Sequence, residues 1–365
     1  MMKNRYILLA LHEMEGIGWQ TIVKLIGQTE SLDELLHWST ADWVRTGVRE
    51  DRAQIIRNGL TPDRIQSRLE FYDKTQVQIV TIYDETYPYR LRHISRPPWV
   101  LYTKGDLKLL DANPFAIVGT RTPTAYGRKA ASELALRLSE AGFCIVSGLA
   151  RGIDSSAHLG ALQGRAKTIA VLGTSIDKIY PPENRTLYRQ IEEQGLLISE
   201  FSPGTVSHPG LFPLRNRIIA GISLGTLVVE AAGKSGSLIT ADQALNESRD
   251  LFAVPGPISS PKSSGTNLLI QNGAKLVTCA EDIIEEYKGR ITHQTYTGSP
   301  SEDKDEPDLT EEEREILDFI SFEPTTIDYL LEQTQTNFGH LHTILLSLSM
   351  KKKIAQRAGS AYVLL

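Results

Sequence analysis

The chain has 365 residues, 41% of them hydrophobic and 23% charged, with a formal net charge of −5. That length exceeds one ordinary domain, and the composition excludes the disordered, collagenous and disulfide-dense classes. Its first apolar run, residues 6–11, ends at His12 and Glu13, and nothing approaches the about 18–20 apolar residues of a membrane span, so a cytoplasmic location without a membrane partner is expected.

Residues 1–75 read as a helical domain. Ile7, Leu8 and Leu11, then Ile22, Val23, Leu25 and Ile26, recur at helical spacing, with no plausible strand among them. Gly16-Ile17-Gly18 joins the first two helices. This hairpin resembles those of helix-hairpin-helix domains, whose backbone N–H groups can hold a phosphate. A tight connection needing glycine's backbone freedom is the plainer alternative.

From residue 77 the pattern changes. Strands are predicted over residues 77–82, 115–118, 143–147, 168–172, 196–201, 226–230, 251–254 and 275–278. Helices are predicted between them, including 125–141, 155–163, 184–194, 214–220 and 238–248. Strands apolar on both faces and separated by helices specify a doubly wound parallel sheet, an α/β fold of the Rossmann-like kind. The strand count implies an extended version spanning residues 77–290. Cys144 and Cys279 each stand in an apolar run and are expected to be buried and reduced.

Residues 291–308 read as an acidic disordered linker, bounded near its end by Pro300 and Pro307. Charge is uneven across this boundary: residues 81–298 hold 23 Lys+Arg against 20 Asp+Glu, a net of +3. Residues 299–313 hold one Lys against eight acids, a net of −7, so the overall sign says little about the surface that would meet a ligand. In residues 309–365, Thr310 with Glu313 forms a capping box opening a helix. Helices at about 326–333 and 337–349 follow, then a hairpin of residues 354–357 and 361–364 around Ala358-Gly359-Ser360. Three helices and a hairpin make a winged helix, an adaptor for DNA or for protein. Its Lys351-Lys352-Lys353 cluster fits either a DNA contact or a solvated helix end.

Several catalytic readings fall away. Gly233-Lys234-Ser235 suggests a phosphate loop, but the first glycine of that motif would fall at Val228, inside a strand. The first core strand is followed by Gly119-Thr120-Arg121-Thr122-Pro123, which places a bulky cation where a dinucleotide fold needs close backbone approach. No HExxH, no GxSxG elbow leading from a strand into a helix and no His/Cys cluster at metal spacing occurs, so neither a metal nor another cofactor is expected.

Ligands of open parallel sheets lie beyond the C-terminal strand ends. Those ends carry Gly119, Thr120 and Arg121, then Ser147, Gly148 and Arg151, then Phe212, Arg215, Asn216 and Arg217, and finally Lys234, Ser235 and Gly236. Small residues at helix starts expose N–H groups that favour phosphate, and the cations reinforce them. A charged strand laid over the sheet edge would suit the whole set. Alternatively, single arginines pair with Asp154, Glu200 or Glu230 and order the loops. Asp154 and His158 lie four apart on one helical face, and a capping carboxylate with a packed histidine is preferred to acid–base catalysis.

The segments VGTR, SGLARGID, YPPEN, FPLRNRIIAG, VVEA, KSGSLIT, VPGP and GTNLLIQNGA run in order across about residues 80–280. Together they resemble the DprA/Smf family of DNA-processing proteins. That resemblance implies an extended Rossmann fold with an N-terminal helical (SAM- or helix-hairpin-helix-like) domain and a C-terminal winged helix. It implies sequence-nonspecific binding and protection of single-stranded DNA, without catalysis. It further implies loading of RecA recombinase during natural transformation, or competence, and a homodimer through the Rossmann domain. By motif, Arg121 would contact phosphates and Phe212 would stack on a base. Some relatives have a lysine shortly before that phenylalanine; here Ser207-His208-Pro209-Gly210 stands there, leaving His208 or another cation to serve. The competing class is a nucleotide-cleaving enzyme of the lysine-decarboxylase-like group, suggested by Glu230 ahead of Ser235-Gly236-Ser237.

Overall fold

The computed structural model describes residues 4–289, 309–320, 325–334, 336–351, 353–357 and 361–364. The expected linker at 291–308, the 358–360 turn and Lys352 lie outside the described residues. The chain forms two compact units, one holding the N-terminal helices with a large sheet, the other the C-terminal helices with a small one.

In the first unit, α1 (Asn4–Glu13), α2 (Trp19–Ile26), α3 (Thr40–Arg45), α4 (Glu50–Gly59) and α5 (Pro62–Thr75) precede β1 (Gln78–Thr81). The helices share one buried cluster with the sheet, running from Ile7, Leu11 and Trp43 to Trp99, Tyr102 and Leu172. The Glu13 carboxylate is a polar strut there. It accepts from Arg68 Nε at 2.6 Å, from Tyr102 Oη at 3.0 Å and from Tyr72 Oη.

After α6 (Tyr89–Arg92) come β2 (Val100–Gly105), β3 (Asn113–Val118), α7 (Ala125–Glu140), β4 (Phe143–Ser147), α8 (Ile153–Gln163), β5 (Thr168–Val171), α9 (Arg185–Gln194) and β6 (Leu196–Ser199). The chain then continues through α10 (Leu211–Ile222), β7 (Gly225–Val228), α11 (Gly236–Asn246), β8 (Asp250–Ala253), α12 (Ser264–Gln271), β9 (Lys275–Leu276) and α13 (Glu281–Ile284). The nine strands are ordered β1-β2-β6-β5-β4-β3-β7-β8-β9. Seven of them, β6 through β9 in that order, run parallel, and β2 is antiparallel to both its neighbours.

Alternate residues of the central strands feed opposite cores, as a sheet covered on both faces requires. Phe115, Ile117, Phe143, Ile145 and Leu227 enter one cluster, while Ala116, Val118, Cys144, Val146 and Val228 enter the other. Sequence analysis did not anticipate β2. Its run Val100-Leu101-Tyr102-Thr103 is buried, between Pro98 and Gly105, and closes the sheet against β1. Cys144 is buried as expected, and burial pushes its thiol well up. Cys279 is exposed, contrary to expectation, because it follows β9 at the margin of the sheet.

The second unit contains α14 (Glu311–Asp318), β10 (Thr325–Thr326), α15 (Ile327–Thr334), α16 (Phe338–Met350), β11 (Ile354–Arg357) and β12 (Ala361–Leu364). The expected capping box is formed, with Thr310 accepting from the Glu313 amide and Glu313 from the Thr310 amide. The hairpin strands pair in register from Ile354–Leu364 to Arg357–Ala361, and β10 adds a third strand. This is the winged-helix arrangement.

Candidate nucleic-acid interface

From β3 the chain winds one way through β4, β5 and β6, then returns to place β7 on the other side of β3. This reversal is the topological switch point, where doubly wound sheets bind ligands. An open cleft of about 560 Å³ lies there. It is lined by Gly119, Thr120 and Arg121 after β3, Tyr180 after β5, Phe212, Arg215 and Asn216 of α10, and Ser235 and Gly236 at the start of α11.

The loop after β3 is rigid. The Thr120 amide donates to Glu230 O at 2.7 Å, Thr120 O accepts from the Ile153 amide at 3.2 Å, and Thr120 Oγ1 accepts from the Thr122 amide at 3.3 Å. Gly152 stands at φ +81°, and a Cβ there would come within 2.5 Å of Thr120 O, so the loops after β3 and β4 close only with glycine at this point. Arg121 projects from this base and is exposed.

Its guanidinium lies 5.8 Å from the Phe212 ring centroid. Phe212 is half-buried, 5.3 Å from the ring of Tyr180 and pressed against the backbone of Gly173, where any Cβ would meet it at 2.4 Å. Tyr180 is 45% exposed, leaving an aromatic corner open to the cleft. Ser235 caps α11, accepting from the Ser237 amide, and a Cβ on Gly236 would meet nothing. The N-terminus of α11 is thus uncluttered and favours an anion.

The other expected site residues are placed differently. Arg215 is buried, and its Nη1 donates to Gly148 O at 2.6 Å and to Val171 O. Burial pushes its pKa down to about 10, with Asp154 opposing the shift. Arg217 is buried against Glu200 at 2.5 Å. Ser147 is buried and donates to Ile117 O at 2.6 Å, and Gly148 is buried beneath Arg215. Arg151 is exposed and paired with Glu183. Lys234 is exposed just before α11. The expected row of cations therefore resolves into Arg121 and Lys234 outside, Arg151 in an ion pair, and Arg215 and Arg217 within the fold.

Asp154 and His158 hold the loop after β4. Asp154 Oδ2 accepts from the Gly148 and Ala150 amides at 3.1 and 3.4 Å, so it ties the preceding loop rather than capping α8. Burial raises its pKa. His158 Nδ1 donates to Thr168 Oγ1 at 2.7 Å, since that hydroxyl spends its own proton on Ile145 O at 2.6 Å. Nε2 accepts from the Leu149 amide at 3.3 Å, and burial pushes the pKa down to about 3. Asn184 completes the clamp by donating to Leu149 O and to Ser155 Oγ, each at 2.9 Å. Sequence analysis quoted Tyr180 and Asn184 within YPPEN without assigning them to the site. An aromatic and an amide at the end of a parallel strand were the available signal.

Comparisons with known proteins place this geometry. Residues 78–288 match the family described as DNA recombination-mediator protein A, and residues 300–360 match the DprA winged helix domain. The DNA processing protein DprA of Bacillus subtilis is 39% identical over 74% of this chain and 95% of its own length. Protein Smf of Synechocystis is 34% identical over 97% of this chain and 89% of its own. The X-ray structure of DprA from Streptococcus pneumoniae superposes with a TM-score of 0.69 at 37% identity, covering 78% of this chain and 99% of that one. The Helicobacter pylori protein, whose structure is described for its single-stranded DNA binding mode, gives a TM-score of 0.54 at 34% identity over 59% of this chain and 98% of its own.

Proposed function

The chain belongs to the DprA/Smf family of DNA processing proteins, and from that premise we propose that it binds and protects single-stranded DNA without sequence preference. The observation that carries this reading is the open aromatic corner of Tyr180 and Phe212 under the Arg121 guanidinium, beside the free start of α11. An aromatic face accepts any base by stacking, and a guanidinium with amide dipoles accepts any phosphate. Neither reads base identity. The single-strand binding mode described for the Helicobacter pylori relative supports the same reading.

The protein acts here without a chemical step. The side chains nearest to acid–base chemistry, Asp154 and His158, are buried and committed to loop amides and to Thr168. The reading extends, on the family resemblance, to loading of RecA recombinase onto the protected strand in natural transformation, in the cytoplasm and as a homodimer through the sheet domain. A gel-shift series of single- and double-stranded DNA over rising salt tests the core of it. Single strands should be preferred, with log affinity falling linearly in log salt by about 0.7 per phosphate contacted. Salt-insensitive binding, or a preference for duplex, overturns it. Release of free base from nucleoside monophosphates would favour the nucleotide-cleaving class instead.

A further inference from the structure

One carboxylate stands on the rim of the cleft against the charge of the expected ligand. Arg151 lines a side pocket of the cleft with Arg121, Tyr180 and Phe212, so the loops after β3 and β4 each bring a cation to the same aromatic corner. The Arg151 guanidinium is already engaged there. Its Nε donates to Glu183 Oε1, and the two side chains remain 61% and 47% exposed. The same bond holds the Glu183 carboxyl below its ordinary pKa, so it stays ionised at neutral pH and below. A phosphate approaching Arg151 therefore meets a cation whose charge is answered.

The ion pair is not what joins the two segments. Asn184, the next residue, donates to Leu149 O and to Ser155 Oγ, each at 2.9 Å. Ser155 Oγ in turn donates to Ala150 O at 2.6 Å, and Asp154 accepts from the Gly148 and Ala150 amides. These bonds fix the loop after β4 and the turn at 182–184 on each other without the Arg151 side chain. An exposed ion pair adds little of its own, because solvent screens it and two long side chains lose freedom in holding it. A phosphate in the same place can engage the guanidinium through two parallel N–H bonds. The contact between Arg151 and Glu183 is thus dispensable to the fold and open to exchange.

Taking the cleft as the single-strand site proposed above, we infer that Glu183 is a displaceable competitor for Arg151. In the free protein it occupies the guanidinium, and a backbone phosphate of the bound strand takes its place. Arg121 and the ring of Phe212 hold the strand, which raises the local concentration of its neighbouring phosphate at Arg151. The exchange lowers affinity, adds no base preference and favours release of the strand.

The test uses the full chain and a thymidine oligonucleotide. Glu183→Gln keeps the shape of the side chain and removes its charge. It should bind the strand about threefold more tightly than wild type at low salt, the worth of one exposed ion pair. The advantage should shrink as salt loosens that pair, and Tm should not move, because Asn184 still holds the turn. Most of the gain should disappear when the same change is made in an Arg151→Ala background. Equal affinity of wild type and Glu183→Gln would overturn the exchange while leaving the single-strand reading in place. So would a gain of the same size without Arg151, which would ascribe the effect to one negative charge fewer, or a lower Tm with no gain, which would make the pair structural. If neither protein bound any single strand, the reading of the cleft would fall and the exchange with it.

Discussion

The Arg121 guanidinium lies 5.8 Å from the centroid of the Phe212 ring, although three strands and three helices separate the two residues in the chain. The pairing depends on the switch point. β3 delivers Arg121 to the sheet edge, and α10, which leads into β7, delivers Phe212 beside it. A cation held over one part of a ring leaves the rest of that face and Tyr180 available to a base, with the charge within reach of its phosphate.

Phe212→Ala should weaken single-strand binding by roughly 1–3 kcal/mol, the usual worth of one base–aromatic stack. Gly173→Ala provides an independent check, because its methyl would have to displace the ring it meets at 2.4 Å. Both variants should lose affinity in fluorescence anisotropy titrations. Unchanged affinity in both would remove the aromatic corner from the interface.

The central sheet was legible because both-face burial leaves continuous apolar runs, and the predicted strand starts at Phe143, Thr168, Leu196 and Lys275 agree with the structure. β2 was missed although Val100-Leu101-Tyr102-Thr103 between Pro98 and Gly105 is a local strand signal; its antiparallel place between β1 and β6 follows from no local pattern. Arg215 and Arg217 were read among the cations of the strand ends, although both fall inside the helix predicted over residues 214–220. α10 in fact begins at Leu211, and proline is tolerated in a first helical turn. The spacing of Leu211, Arg215, Ile218 and Ile222 already marks one helical face, and that face is buried. Arg121 and the glycines around it were legible because strand–turn–helix chemistry is local.

Arg215→Ala should lower stability rather than simply remove a DNA contact. The guanidinium fills the space above Gly148 and satisfies the carbonyls of Gly148 and Val171, which would be left buried without it. An unsatisfied buried polar group costs about 1–3 kcal/mol. Calorimetry should show a clear fall in Tm. A variant with unchanged Tm and lost DNA binding would return Arg215 to the interface.

His158 predicts an acid sensitivity. Its folded pKa, about 3, lies below the ordinary histidine value of 6.5, so the unfolded chain binds the additional proton between these limits. Stability contributed by this group is full above pH 6.5 and is lost progressively as the pH falls from there toward about 3. Asp154, raised by burial, acts in the opposite sense at the acidic end of that range. Denaturant melts at a series of pH values should give His158→Asn a shallower slope than wild type between pH 6 and 4. Identical slopes would mean that His158 is protonated in the folded protein.

Arg121→Ala separates recognition from architecture most cleanly. The side chain is exposed, and the loop beneath it is fixed by backbone bonds from Thr120 to Glu230 and Ile153 that alanine leaves intact. The residue before a proline avoids helical backbone angles, so Thr122-Pro123 keeps the loop stiff whatever stands at 121. What the variant loses is the charge and its contact with Phe212, worth only about 0.5–1 kcal/mol at an exposed site. Tm should therefore stay nearly constant while single-strand affinity falls at least tenfold and the salt slope flattens by about 0.7, the share of one phosphate. Arg121→Lys should recover only part of the affinity, because an ammonium cannot grip phosphate through two parallel N–H bonds. If the arginine served only to order the loops, the alanine variant would melt lower and keep the wild-type salt slope, and the switch-point cleft would lose its claim to the strand.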